Sequence, residues 1–119
     1  MKQMYGQRMS DEIDISTFNS VDIRTGKIVE ASYFTGARKP AYKLLIDFGP
    51  LGMKKSSAQI TDFYEPEQLI GKNVVAVVNL KPRQIANYIS EVLVLGVPIE
   101  GGVVLLCPER DVSPGQRIS

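Results

Sequence analysis

The chain contains no histidine and only one cysteine. The first absence removes the commonest general base and the commonest metal ligand. The second rules out an internal disulfide and would leave any zinc site to carboxylates. No apolar run approaches the roughly 18 residues that a spanning helix needs, so no membrane insertion is expected. The stretch from Met1 to Asp14 mixes polar, basic and acidic residues and lacks the continuous apolar core of a secretory signal, so a cytoplasmic location is expected. No glycine-rich loop has Walker or dinucleotide spacing. The expectation is therefore a protein with no cofactor, no metal site and no catalytic residues. Cys107 lies in the apolar run VVLLCP and reads as a buried small hydrophobe.

What is present is the composition of an ordinary globular protein, with 44% hydrophobic and 23% charged residues over 119 positions. That length fits one domain, which buries roughly 65% of the surface its unfolded chain exposes. The formal net charge of +1 hides an uneven distribution. Between residues 24 and 55 stand seven basic side chains (Arg24, Lys27, Arg38, Lys39, Lys43, Lys54, Lys55) against Glu30 and Asp47, a local balance of 7 − 2 = +5. Gathered on one face, they would attract an anionic partner such as nucleic acid. Scattered around a barrel, they would simply be solvated positions.

Residues 1–12 carry no periodic pattern and read as a flexible N-terminal extension; residues 13–119 read as one domain. A short helix is expected over Ser16 to Ser20, with Ile13, Ile15 and Phe18 packing against the body. Then come short β signals divided by turn residues. The first strand spans Val21 to Phe34, and its alternation changes phase near Gly26, as a glycine bulge would produce. The second sets Tyr42, Leu44, Ile46 and Phe48 on one face and Lys43 and Asp47 on the other. The third, Met53 to Ile60, has the polar middle KKSSAQ. Thr61 or Asp62 is expected to cap a short helix that holds Pro66 near its start, with Gly71 as its stop. The apolar runs Val74 to Val78, Val92 to Leu95 and Val103 to Cys107 fit strands buried on both faces or covered by another subunit. NLKPRQIANYIS, residues 79–90, reads as a polar and aromatic loop, and Gly101 and Gly102 mark the last hairpin. Five or six strands with a helix between the third and fourth make an all-β fold, a five-stranded Greek-key OB barrel with short helices.

The tandem Lys54, Lys55, Ser56 and Ser57 suggests a serine and lysine dyad only superficially, because adjacent strand residues face opposite ways. Binding is the better reading. NLKPR places Lys81 and Arg83 on a proline-stiffened segment after a buried strand, Arg83 offering a bidentate fork and Lys81 a point charge for phosphate or carboxylate. Lys54, Lys55, Ser56, Ser57, Asn79, Lys81, Arg83 and Ser90 form the candidate peptide- or RNA-binding set. Tyr42, Met53 and Ala58 are the candidate apolar groove.

The segments DIRTGKIVEA (22–31), ARKPAYKLLIDFG (37–49), KKSSAQIT (54–61), VVAVVNLKPRQIA (74–86) and SEVLVLG (90–96) resemble the CsaA family of export-related chaperones in one continuous order. That resemblance implies an OB-fold homodimer in the cytoplasm that binds unfolded or precursor polypeptides, with the export ATPase as a partner, and catalyses nothing. The chain is also similar to the wider tRNA-binding domain family, which shares NLKPR and a serine at Ser90. The glycine and methionine that follow in that family are here Glu91 and Val92, and a carboxylate beside an RNA path repels phosphate. A tRNA-binding module is the alternative function.

Overall fold

The alternation from Tyr42 to Phe48 organises the interior. The computed structural model describes residues 8–119, so most of the expected extension lies outside the described residues. Its elements are α1 (Ile15–Asn19), β1 (Ile23–Tyr33), β2 (Tyr42–Asp47), β3 (Met53–Ala58), α2 (Pro66–Leu69), β4 (Asn73–Val77), β5 (Arg83–Ile85), β6 (Tyr88–Ser90), β7 (Leu93–Val94), β8 (Gly96–Ile99) and β9 (Gly102–Leu105). Five strands form one antiparallel sheet in the order β3-β2-β1-β4-β7, and β5–β6 and β8–β9 are separate hairpins.

β3 and β7 are the ends of that sheet, and the residues just before β7 bring them together. The Glu91 amide donates to the Lys55 carbonyl at 2.8 Å, and the Ser56 hydroxyl donates to the Val92 carbonyl at 3.0 Å. The sheet thereby curls into a nearly closed five-stranded barrel of the OB type, with α2 between β3 and β4. Tyr42, Leu44, Ile46 and Phe48 point inward at no more than 1% exposure and meet Ile28, Leu69, Val74 and Ala76.

Several local expectations are corrected. The irregularity in β1 falls between Ile28 and Glu30, where the register with β2 slips at Val29, and not at Gly26. Gly26 serves close packing instead, since a Cβ there would lie 2.7 Å from both Ile46 Cγ2 and Phe48 Cε1. α2 is capped by Glu65 rather than Thr61 or Asp62: Glu65 and Gln68 satisfy each other's backbone amides in a capping box, and Pro66 opens the first turn. Residues 79–90 are not a loop throughout. Arg83 pairs with Ser90 and Ile85 with Tyr88 across a tight hairpin. Its turn carries Ala86 at φ +53°, a left-handed conformation that alanine rarely adopts and that sequence gives no reason to expect.

The apolar C-terminal runs are only half covered. Val92 is buried, but Leu93 is 49% exposed, Val104 40% and Leu106 41%, and Cys107 is exposed rather than buried. Val103 and Leu105 pack on the barrel while the other face of β8–β9 stays open. α1 buries none of its residues, so Ile13 and Ile15 do not pack against the body. The C-terminal segment is tied to β1 by Thr25, whose hydroxyl donates to the Ser113 carbonyl and accepts from the Gln116 amide. Among the described residues, no helix is long and apolar enough to cross a membrane.

Candidate binding groove

Sealing the barrel leaves a groove along the outer edge of β3. Three adjoining clefts share Ser57, Arg83 and Ile85. The largest, about 550 Å³, lies between the loop carrying Arg38 and Lys39, Ser57 near the end of β3 with Gln59 just beyond that strand, and Arg83 and Ile85 of β5. A second, about 300 Å³, has an apolar wall from Ala58, Ile60, Leu93, Val94, Pro98 and Val103. The third, about 170 Å³, runs under Leu80 and Lys81 to Ser90 and Glu91. One end is thus cationic and the middle apolar. Among the described residues, Arg38, Lys39, Lys81 and Arg83 enter no salt bridge. A guanidinium without an internal partner keeps its whole fork for a ligand.

The +5 segment divides accordingly. Arg24 bonds Asp22 at 2.7 Å and Lys27 lies 3.7 Å from Asp111. The hydrogen bond from Arg24 holds the Asp22 carboxyl below the usual carboxylate range. Arg38 and Lys39 reach the groove. Lys43 and Lys55 sit on the other flank of the β5–β6 hairpin, with their ammonium groups 5.0 and 5.3 Å from the Tyr88 ring. Burial raises the Tyr88 phenol's pKa, and the Glu91 and Glu30 charges add to the effect.

Of the expected site residues, Ser57, Lys81, Arg83 and Ser90 meet in the groove. The others have different places. Lys54 shares the inward side of β3 with Ser56 and Ala58. Ser56 is fully buried with its hydroxyl bound to Val92, so no serine and lysine dyad is assembled. Lys55 offers its backbone amide to Glu91 Oε1 at 2.9 Å. Asn79 ties chain segments together: its Oδ1 accepts from the Asp22 amide at 2.9 Å and its Nδ2 donates to the Ser20 carbonyl at 2.8 Å.

The expected apolar groove of Tyr42, Met53 and Ala58 is corrected. Tyr42 is 1% exposed within the core and Met53 is 55% exposed at the opposite end of β3, so of the three only Ala58, at 9%, lines the apolar cleft. The Tyr42 hydroxyl donates to the Tyr64 carbonyl at 2.6 Å, and burial pushes its pKa up to about 12. Sequence reading missed Arg38, Lys39, Gln59 and Ile85. The first two had a usable signal, because the loop between the first two strands flanks the binding face of an OB barrel.

The fold and groove define a class: an OB barrel with a polar and apolar cleft where members of this fold hold extended macromolecules. Residues 23–117 match the family described as a putative tRNA binding domain, and the chain belongs to that family. It is similar to the chaperone CsaA of Bacillus anthracis, with 51% identity and a TM-score of 0.86 over 92% of this chain and 100% of that one. The CsaA chaperone protein of Picrophilus torridus is 52% identical, with a TM-score of 0.86 over 91% and 100% of the two chains. The methionine–tRNA ligase of Methanocaldococcus jannaschii is 34% identical over 95% of this chain, which spans only 17% of that ligase.

Proposed function

We propose that the protein is a non-catalytic chaperone that holds unfolded or precursor polypeptides. The observation that carries this reading is the pairing, along one strand edge, of the cations Arg38, Lys39 and Arg83 with the apolar wall of Leu93, Val94, Pro98 and Val103. A polypeptide offers both kinds of side chain together. Base stacking wants aromatic platforms, and among the described residues no aromatic lines the three clefts. The 51–52% identity to CsaA chaperones across their whole length supports the same reading. Holding rather than remodelling is the mechanism: apolar contact retains the client, and an open cleft releases it quickly.

Homodimerisation belongs to this proposal. Val97 and Ile99 of β8, with Val104 and Leu106, present an exposed apolar face that a second copy would cover. Sedimentation at micromolar concentration reads this directly, and a monomer at every concentration would sink it.

A tRNA-binding module is the second reading, favoured by Arg38, Lys39, Lys81 and Arg83, which enter no salt bridge among the described residues, and by the family's description. An anisotropy titration with a fluorescent, permanently unfolded protein, at low and raised salt and with tRNA as competitor, separates the two. Polypeptide binding that survives salt supports the chaperone. Displacement by tRNA with affinity that collapses as salt rises supports RNA, because counterion release makes phosphate binding steeply salt-dependent.

A further inference from the structure

The groove-facing edge of β3 is sealed at one end and open at the other. Backbone groups of residues 55 and 57 point away from β2, as their seam bonds show, and the same alternation carried one residue past the end of β3 at Ala58 turns those of Gln59 the same way. At the sealed end, side chains substitute for a strand partner: Glu91 accepts from the Lys55 amide, and Ser90 Oγ accepts from the Ser57 amide at 3.0 Å. Farther along nothing does. Among the described residues, the Ser57 carbonyl and the amide and carbonyl of Gln59 have no hydrogen-bond partner. Both residues line the largest cleft.

We propose that this open edge takes up a polypeptide as an added β-strand, its backbone pairing with Ser57 and Gln59. The inference rests on the polypeptide-binding reading above and specifies how the groove would work. In an added strand, alternate side chains face opposite sides. Those on the outer side meet Arg38, Lys39 and Arg83, which favour carboxylates. Those on the inner side meet Leu93, Pro98 and Val103. The occupant is therefore an extended segment alternating apolar and acidic residues. Backbone pairing is indifferent to sequence, which suits a binder of many clients, and the flanking cations discourage edge-to-edge association with another copy.

The test uses a fluorescein-labelled octapeptide of alternating valine and glutamate, titrated against the full chain by anisotropy. Two derivatives carry N-methyl groups, one on every glutamate and one on every valine. Only one set of amides faces the edge, and a slip of two residues preserves that parity. Antiparallel pairing predicts about three- to tenfold weaker binding for the glutamate-methylated peptide and little change for the other, as expected for the removal of backbone hydrogen bonds. Parallel pairing predicts the reverse. Equal effects on both overturn strand addition. Gln59→Pro, which removes the open amide, should weaken binding at least about threefold relative to Gln59→Ala, which keeps that amide. A proline variant that is folded by circular dichroism and binds like the parent overturns the proposal. If an unfolded protein binds but the parity effect is missing, only this inference falls. If neither unfolded protein nor peptide binds while tRNA does, the chaperone reading falls with it.

Discussion

Replacing Glu91 separates two roles that this carboxylate combines. It closes the barrel by accepting from the Lys55 amide at 2.9 Å, and it places negative charge in the cleft shared with Lys81 and Arg83. Glu91→Ala leaves that amide without its partner. A hydrogen bond to a charged group contributes about 1.5–3 kcal/mol, but Glu91 is only half-buried and water can reach the vacated amide, so about 1 kcal/mol is expected. For a domain of this size that lowers the melting temperature by about 4 °C. Glu91→Gln keeps an acceptor oxygen and should stay within about 0.5 kcal/mol of the parent. Both variants lose the charge, so both should bind tRNA about two- to fivefold more tightly at low salt, in the range of a single screened ion pair. Thermal melts and filter-binding at two salt concentrations measure each effect. Equal melting temperatures for Glu91→Ala and the parent would refute the seam argument. Unchanged tRNA affinity in Glu91→Gln would show that RNA does not pass through this cleft.

Three further predictions concern the interior and the groove. Gly26→Ala forces a methyl group against Ile46 and Phe48 at 2.7 Å; overpacking of this kind costs about 1–3 kcal/mol, and an unchanged urea midpoint would show that both side chains move aside. Tyr42 has a folded pKa of about 12, raised above its ordinary 10.0 by burial. Its contribution to stability is therefore complete below pH 10 and declines as the pH rises toward 12; Tyr42→Phe should remove that part of the alkaline limb, and an identical pH–stability curve would contradict it. Alanine at Arg38, Lys39 and Arg83 should reduce the salt slope of tRNA binding by about one unit for each phosphate that is no longer neutralised, whereas an unchanged slope places RNA elsewhere.

The barrel was legible because its signals are local and mutually consistent. Tyr42, Leu44, Ile46 and Phe48 alternate without exception, and all four are buried as the period requires. Turn residues divide the remaining strands, and Pro66 and Gly71 bracket α2 where helix chemistry puts them. The misreadings share one cause, which is tertiary override. Gly26 reads as a bulge from periodicity, yet it is fixed by two side chains from β2 and its end that sequence does not place beside it. The run ending at Cys107 reads as buried because it is apolar, but its hairpin stands against the barrel on one face only.

The groove was less legible because closure of the barrel creates it. Lys81 and Arg83 announce themselves in a basic, proline-stiffened stretch, while Gln59 and Ile85 become site residues only when β3 and the β5–β6 hairpin face one another. Parity along β3 decides the rest. Ser56 and Ala58 fall on the core side, leaving Ser57 and Gln59 for the groove, so a run such as KKSSAQ divides into alternate residues with separate duties. The same parity gives the backbone its role: bonds toward β2 use residues 54, 56 and 58, which frees the amides and carbonyls of 55, 57 and 59 for the outer edge. Ser90 and Glu91 then determine where that edge ends. A residue at position 90 that could not accept a hydrogen bond would extend the open edge to the Ser57 amide, lengthening the stretch available to a client and weakening the barrel in the same step, whereas at position 91 the backbone amide would still hold the Lys55 carbonyl.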